Sequence, residues 1–193
     1  RSAIIATGVS WRRLGVPRLE ALIGTGVFYG AAGSEAQAMQ GRSVCIVGAG
    51  NSAGQAAVHL ARYAASVTML VRGDSLSKHM SEYLITELRA TPNVNVRLGV
   101  EVVDGGRGGK LEVVSVRNRV TREIEEIPTS ALFVLIGAEP ETAWLEQAVA
   151  RNRHGYILTG TDVLERRNGA HPWPLKRAPL SLETSTPGIF AAG

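Results

Sequence analysis

The stretch Val44-Cys45-Ile46-Val47-Gly48-Ala49-Gly50-Asn51-Ser52-Ala53-Gly54 limits what this chain can fold into more than any other. A run of apolar, strand-favouring residues enters a glycine turn, and a segment able to start a helix follows. Such a turn presents the unpaired N–H groups of a helix N-terminus, with the positive end of its dipole, and a pyrophosphate can sit against them. The spacing is Gly48-x-Gly50-x-x-Ala53. Gly48 allows the tight turn, Gly50 lets a phosphate approach the backbone, and Ala53 lets the helix pack closely on the strand. Ala49 lies between the glycines. Asn51 and Ser52 stand where a side chain can cap the helix or touch phosphate.

The surroundings suit that reading. Residues 43–47 and 66–71 read as strands, and between them Ala53, Ala56, Ala57, Leu60, Ala61 and Ala64 recur on one helical face. Strand, helix and strand at this spacing form a right-handed βαβ unit. A second helix is expected over 75–89, with Leu76, Met80, Tyr83, Leu84 and Leu88 inward and Pro92 as its stop, then a strand at 95–98. Residues 100–103, 110–117 and 122–127 alternate like strands, with turns at 105–109 and 118–121, and read as an antiparallel meander covering one face of the sheet. The apolar run 132–136 reads as a buried parallel strand ending at Gly137. The expected class is α/β: a Rossmann-like three-layer fold, its parallel sheet carrying helices on one face and the antiparallel β-meander on the other.

The flanks are less regular. A short strand at 3–8 has no partner nearby in sequence, 15–33 reads as linker and close turns, and 34–39 as a short helix capped by Ser34. Beyond the core, 142–149 reads as a short helix, 155–158 as an edge strand, 166–179 as a loop open to disorder, and 181–193 ends on a strand cut at its turn. Expected divisions are 1–40, 41–160 and 161–193.

Composition narrows the function. The 193 residues are 45% hydrophobic and 20% charged, enough for one full core and part of a second. Net charge is +4, arginine is scattered and aromatics are 5%, which argues against a nucleic-acid surface and for a cleft holding an anionic small molecule. No run is long enough to span a membrane, and no signal peptide is read. The single cysteine, Cys45, reads as a small core residue. It excludes an internal disulfide, a dithiol shuttle and a multi-cysteine metal site, and a reducing cytoplasm fits it. Trp11 and Trp144 read as packing residues, and Trp173 falls in the loop. His59, His79, His154 and His171 are far apart with no obvious carboxylate partner, and no Ser-His-Asp or paired-carboxylate pattern occurs. Hydride chemistry needs none of these, because a flavin supplies the reactive atom and the protein positions it.

The residue closing the second strand selects the nucleotide. An acidic side chain there accepts from the ribose 2′-OH of NAD, but this strand ends Leu70-Val71-Arg72. Arg72 can bind a 2′-phosphate, and Lys78, expected one helical turn on, adds a second cation. This favours NADP(H). Asp74 is the rival, able to reach a 2′-OH instead.

The Gly48–Ala53 turn after a Val-rich strand, Arg72 at the next strand's end, and Ile136-Gly137-x-x-Pro140 together resemble the NADPH domain of thioredoxin reductase and its low-molecular-weight flavoprotein relatives. Ala6-Thr7-Gly8 resembles that family's second flavin-domain motif, and Thr186-Pro187-Gly188-Ile189-Phe190-Ala191-Ala192-Gly193 its C-terminal flavin motif. The resemblance spans essentially the whole chain. It implies an FAD/NAD(P)-binding fold, with Ile136 and Gly137 toward the nicotinamide and FAD held by the flavin domain of the same parent chain. It also implies a flavin glycine motif ahead of Arg1 and an acidic flavin contact after Gly193. The chain is then the NADPH domain with its two hinge strands, inactive alone, from an NADPH-dependent reductase with an unnamed electron acceptor; a homodimer is compatible. The family's redox cysteine pair is replaced by Gly30 and Gly33, as in diverged relatives and, in function, the flavin-type ferredoxin–NADP reductases. The alternative from another class is a non-catalytic dinucleotide-sensing or assembly domain.

Overall fold

The computed structural model describes residues 2–30, 35–165 and 172–192. In order the elements are β1 (Ala3–Ile5), β2 (Val9–Trp11), α1 (Pro17–Glu20), β3 (Val27–Tyr29), β4 (Ser43–Val47), α2 (Asn51–Ala61), β5 (Ser66–Val71), α3 (Glu82–Ala90), β6 (Val94–Leu98), β7 (Val100–Arg107), β8 (Lys110–Asn118), β9 (Ile124–Pro128), β10 (Ala131–Val134), β11 (Ala138–Pro140), α4 (Thr161–Glu165) and β12 (Ile189–Ala191). The chain forms two compact units, Arg13–Gly137 and the residues on either side of it.

The central unit is built on a five-stranded sheet in the order β3-β10-β4-β5-β6, parallel throughout. Side chains alternate across it. Val44, Ile46, Val67, Met69 and Phe133 face the helices, where Ala53, Ala57 and Leu60 of α2 and Leu84, Ile85 and Leu88 of α3 cover them. Cys45, Val47, Leu70, Leu132 and Val134 face the other way, under Val100, Leu111, Val114 and Val116 of the meander β7-β8-β9 and Leu19 and Leu22 around α1. Burial on both faces explains the unbroken apolar runs of β4 and β10. The three-layer arrangement expected from sequence is therefore present. Close contact of α2 with α3 rests on Gly54, where a Cβ would stand 2.6 Å from Leu84 Cδ2. No described helix is long and apolar enough to cross a membrane.

Several local expectations change. Val27–Tyr29, expected within close-packed turns, is an edge strand paired with β10, and Phe28 stacks on Phe133 at 5.3 Å. The helix expected from residue 75 begins only at Glu82, after Ser81 as N-cap. Ser75 Oγ accepts from Ser77 N–H at 3.1 Å, the kind of local bond that competes with helix. Leu76 and Met80 still reach the core. Strand β7 runs through part of the expected 105–109 turn to Arg107, with register shifts. The helix expected at 34–39 is a 3₁₀ turn, Gln37–Met39, and the Ser34 cap lies outside the described residues.

The second unit holds two short sheets, β1 parallel to β12 and β2 antiparallel to β11. The helix expected at 142–149 is the 3₁₀ turn Ala143–Leu145, and the strand at 155–158 is a single bridge, Arg151 to Ile157. Trp11 and Trp144, expected as packing residues, are 45% and 70% exposed. Residues 166–171 of the expected loop lie outside the described residues; 172–179 carry no helix or strand, yet Trp173 packs beneath the Arg177 guanidinium, 5.2 Å from its ring centre. The units divide at Arg12/Arg13 and Gly137/Ala138, where the sequence pattern places the divisions at 40 and 160.

Candidate nucleotide site

The chain leaves β4 for β5 and β6 on one side and returns as β10 on the other. In open α/β sheets ligands bind outside the carboxyl ends of the strands at such a reversal. Gly48 sits there. Its φ is +154°, and a Cβ would fall 2.5 Å from the Leu135 carbonyl oxygen and 2.8 Å from Ala53 Cβ. Its N–H donates to Leu70 O at 3.3 Å, while Leu135 N–H donates to Val47 O at 2.8 Å. Gly48 and Ala53 are thus small because β10, β4 and α2 converge.

Gly50 is different. It is the N-cap of α2, with φ −90° and ψ 177°, a conformation open to any residue. The nearest atom a Cβ would meet is His79 O, at 3.9 Å. Neither backbone nor packing asks for glycine. What the missing side chain leaves is open space before the helix N-terminus. Among the described residues no side chain caps α2, so the first amides, at Asn51, Ser52 and Ala53, keep the free donors a helix start leaves. Ala49 and Gly50 are half-buried; Asn51 and Ser52 are exposed. Asn51 caps nothing in its own helix: its Oδ1 accepts from Ser81 N–H at 2.9 Å and Ser81 Oγ–H at 3.1 Å, tying the starts of α2 and α3 together.

The remaining candidates lie on the same carboxyl edge. Beyond β10, Ile136 packs on the meander-side core, and Gly137 is exposed with φ +97°. Arg72 at the tip of β5 is exposed, and among the described residues no ion pair engages its guanidinium. Lys78 lies in the turn segment ahead of α3 rather than on a helix, and its Nζ pairs with Asp74 Oδ1 at 2.7 Å, an exposed pair. The hydrogen bond from Lys78 holds the Asp74 carboxyl below its ordinary range.

Arg119 carries no signal in the sequence. Its Nη1 donates to the Arg72 carbonyl at 3.0 Å, a contact that depends on where the meander's last turn lands. Tyr29 is equally silent. At the end of β3 its hydroxyl donates to Glu20 Oε1 at 2.6 Å and accepts from Leu14 N–H at 2.9 Å, and burial raises its phenol. Gly30 follows it, its N–H donating to Val134 O at 3.3 Å; Gly33 lies outside the described residues. The sulfur of Cys45 is elsewhere, buried under the meander, where burial pushes the thiol up to about 11. No group of His, Cys, Asp and Glu able to hold a metal occurs among the described residues.

Sheet order, glycine turn and meander define an FAD/NAD(P)-binding fold of the thioredoxin reductase type. The structure is similar to thioredoxin reductase of T. acidophilum, with a TM-score of 0.77 at 25% identity over 100% of this chain and 56% of that one. The chain belongs to the pyridine nucleotide-disulphide oxidoreductase family, which it matches over residues 1–193. It is 32% identical over 194 residues to a component of the alkyl hydroperoxide reductase of Escherichia coli, covering 100% of this chain and 33% of that protein. To NADH dehydrogenase of Bacillus subtilis it is 31% identical over 193 residues, with coverages of 100% and 34%. It therefore spans about a third of the length of these curated relatives. Membership implies use of FAD and NAD(P)H. With Cys45 its single cysteine, this chain has no dithiol of its own.

Proposed function

We propose that the central unit is the NADPH-binding part of a flavoprotein reductase whose flavin is held by the rest of the parent protein. The observation that carries this is Gly50, a glycine that nothing among the described residues requires and whose absent side chain opens the start of α2. The amides of Asn51, Ser52 and Ala53 would receive the pyrophosphate, with Gly48 and Ala53 shaping the turn and Ala49 lining it. Arg72 would take the 2′-phosphate, Lys78 stands at the rim, and Ile136 and Gly137 lie toward the nicotinamide. A bound nicotinamide would supply a hydride and a flavin would accept it; the chain's own residues bind and orient. The protein is read as cytoplasmic, in keeping with one buried thiol.

Two relatives are named NADH dehydrogenase, so the choice of nucleotide rests on Arg72. Asp74, the residue that would favour NADH, is engaged by Lys78. In the full-length protein, Arg72→Ala should weaken NADPH binding by about 1–3 kcal/mol, the range of a charge-assisted bond, and leave NADH nearly unchanged. Equal losses for both nucleotides would overturn the phosphate role.

The single, buried cysteine favours one second reading, a dinucleotide sensor without electron transfer. A full-length protein that is yellow and bleaches anaerobically with NADPH is a reductase. A colourless protein that still binds NADPH is a sensor.

A further inference from the structure

We infer that Arg119 is a second specificity residue for the nucleotide, sharing the 2′-phosphate with Arg72. This rests on the NADPH reading above and extends it to a part of the fold outside the βαβ unit.

The turn between β8 and β9 is locally rigid. Asn118 Oδ1 accepts from the N–H groups of Val120 and Thr121 at 2.8 and 3.1 Å, and Arg122 N–H donates to Asn118 O at 3.0 Å. It is also lashed to the carboxyl edge of the sheet: Arg119 N–H donates to Gly99 O at 2.8 Å, and Gly99 N–H to Gly73 O at 2.9 Å. The Arg119 guanidinium then reaches the carbonyl of Arg72 itself. That contact uses one of five donors, and the side chain remains exposed.

Charge makes the arrangement informative. The Arg119 guanidinium sits on the backbone of the residue that carries the Arg72 guanidinium, and neither forms an ion pair among the described residues. The nearby carboxylate, Glu101, is already held by Arg117 Nε and Nη2 at 2.9 and 2.6 Å. Glu101 also feels the charge of Arg119 and Arg122, so one carboxylate is shared among three arginines, and a phosphate dianion met by planar, multi-donor groups would offset the excess positive charge. If Arg119 served only to cap a carbonyl, its charge would be irrelevant.

The test uses the full-length protein and two probes, adenosine 2′,5′-bisphosphate and adenosine 5′-monophosphate, titrated by calorimetry. Arg119→Gln should weaken the bisphosphate about ten-fold, the worth of one charge-assisted bond, with the monophosphate within about two-fold. Arg119→Glu should weaken the bisphosphate further, and Arg119→Lys should recover most of the loss. Equal effects on both probes, or none, would make Arg119 structural and overturn the inference, as would a lowered melting temperature with an unchanged affinity ratio. Arg72→Ala separates the two claims. If it selectively loses the bisphosphate while Arg119→Gln does not, only the role of Arg119 fails. If the unsubstituted protein does not discriminate between the probes, the NADPH reading fails and this inference with it.

Discussion

Around Glu183, the N–H groups of Leu180 and Gly188 each donate to the carboxylate at 2.9 Å, and Arg177 adds two bonds at 2.7 Å. At the start of α2, no side chain among the described residues caps the amides of Asn51, Ser52 and Ala53. Both regions present backbone donors that suit negative charge. The first is closed with a carboxylate from the chain itself, buried and fully paired, and so fixes a loop. The second keeps its donors, and a glycine keeps the approach clear. Self-satisfaction marks the structural site, and an open, uncapped turn is what the proposed nucleotide site requires.

The hardest blow to the open site is Gly48→Ala. The added Cβ would meet the Leu135 carbonyl at 2.5 Å in a backbone region that side chains rarely adopt. Strain and overpacking should cost about 2–4 kcal/mol of stability. Denaturant unfolding reads the loss, and nucleotide binding should disappear with it. A variant as stable as the parent would mean that the turn is not the rigid junction described.

The closed site breaks with acid. Paired chiefly with Arg177, Glu183 has its carboxyl held at about 2, against an ordinary 4.5. A carboxyl whose pKa falls on folding contributes stability above its unfolded value and loses it as pH falls. The contribution should be complete above about pH 4.5 and vanish toward pH 2. Melting curves from pH 7 downward should show this limb, and Glu183→Gln should lower stability at pH 7 and flatten the limb. An unchanged acid limb in the variant would remove the contrast between the two turns.

Gly50→Ala sharpens the same contrast with a smaller effect. Nothing lies within 3.9 Å of the added methyl, so stability should stay within about 1 kcal/mol, the usual range for an N-cap change. NADPH affinity should fall about ten-fold or more, because the methyl occupies the phosphate's approach. Calorimetry beside a thermal melt separates the two readouts. Loss of stability without loss of affinity would return Gly50 to a structural role.

What could be read from sequence followed from local signals. β4 and β5 occupy the expected residues because each is an apolar run between turns, and α2 shows its small residues at helical spacing. Strand β3 escaped because three residues between Gly26 and Gly30 carry no period. The late start of α3 escaped because hydroxyl bonding around Ser75 and Ser77 overrides an apolar pattern that continues into the turn. Arg119 and Asn51 have partners 47 and 30 residues away, fixed only by strand register and helix packing. Glu183 looked like one more acid beside a polar loop; two amides and Arg177 make it a core residue.

The smallest expected effect concerns the sulfur. Cys45 is 1% exposed on the meander side of β4, and burial pushes its thiol to about 11, so little thiolate exists near neutral pH and no reagent can reach it. In native protein an aromatic disulfide reagent at pH 8 should label it only as fast as the unit opens, and bound nucleotide should slow labelling by favouring the closed state. Cys45→Ala should leave NADPH affinity and any flavin reduction unchanged, because the residue lies beneath the opposite layer from α2. Rapid labelling of the folded protein, or a change in reduction rate on removing the sulfur, would end the reading of Cys45 as an inert core residue.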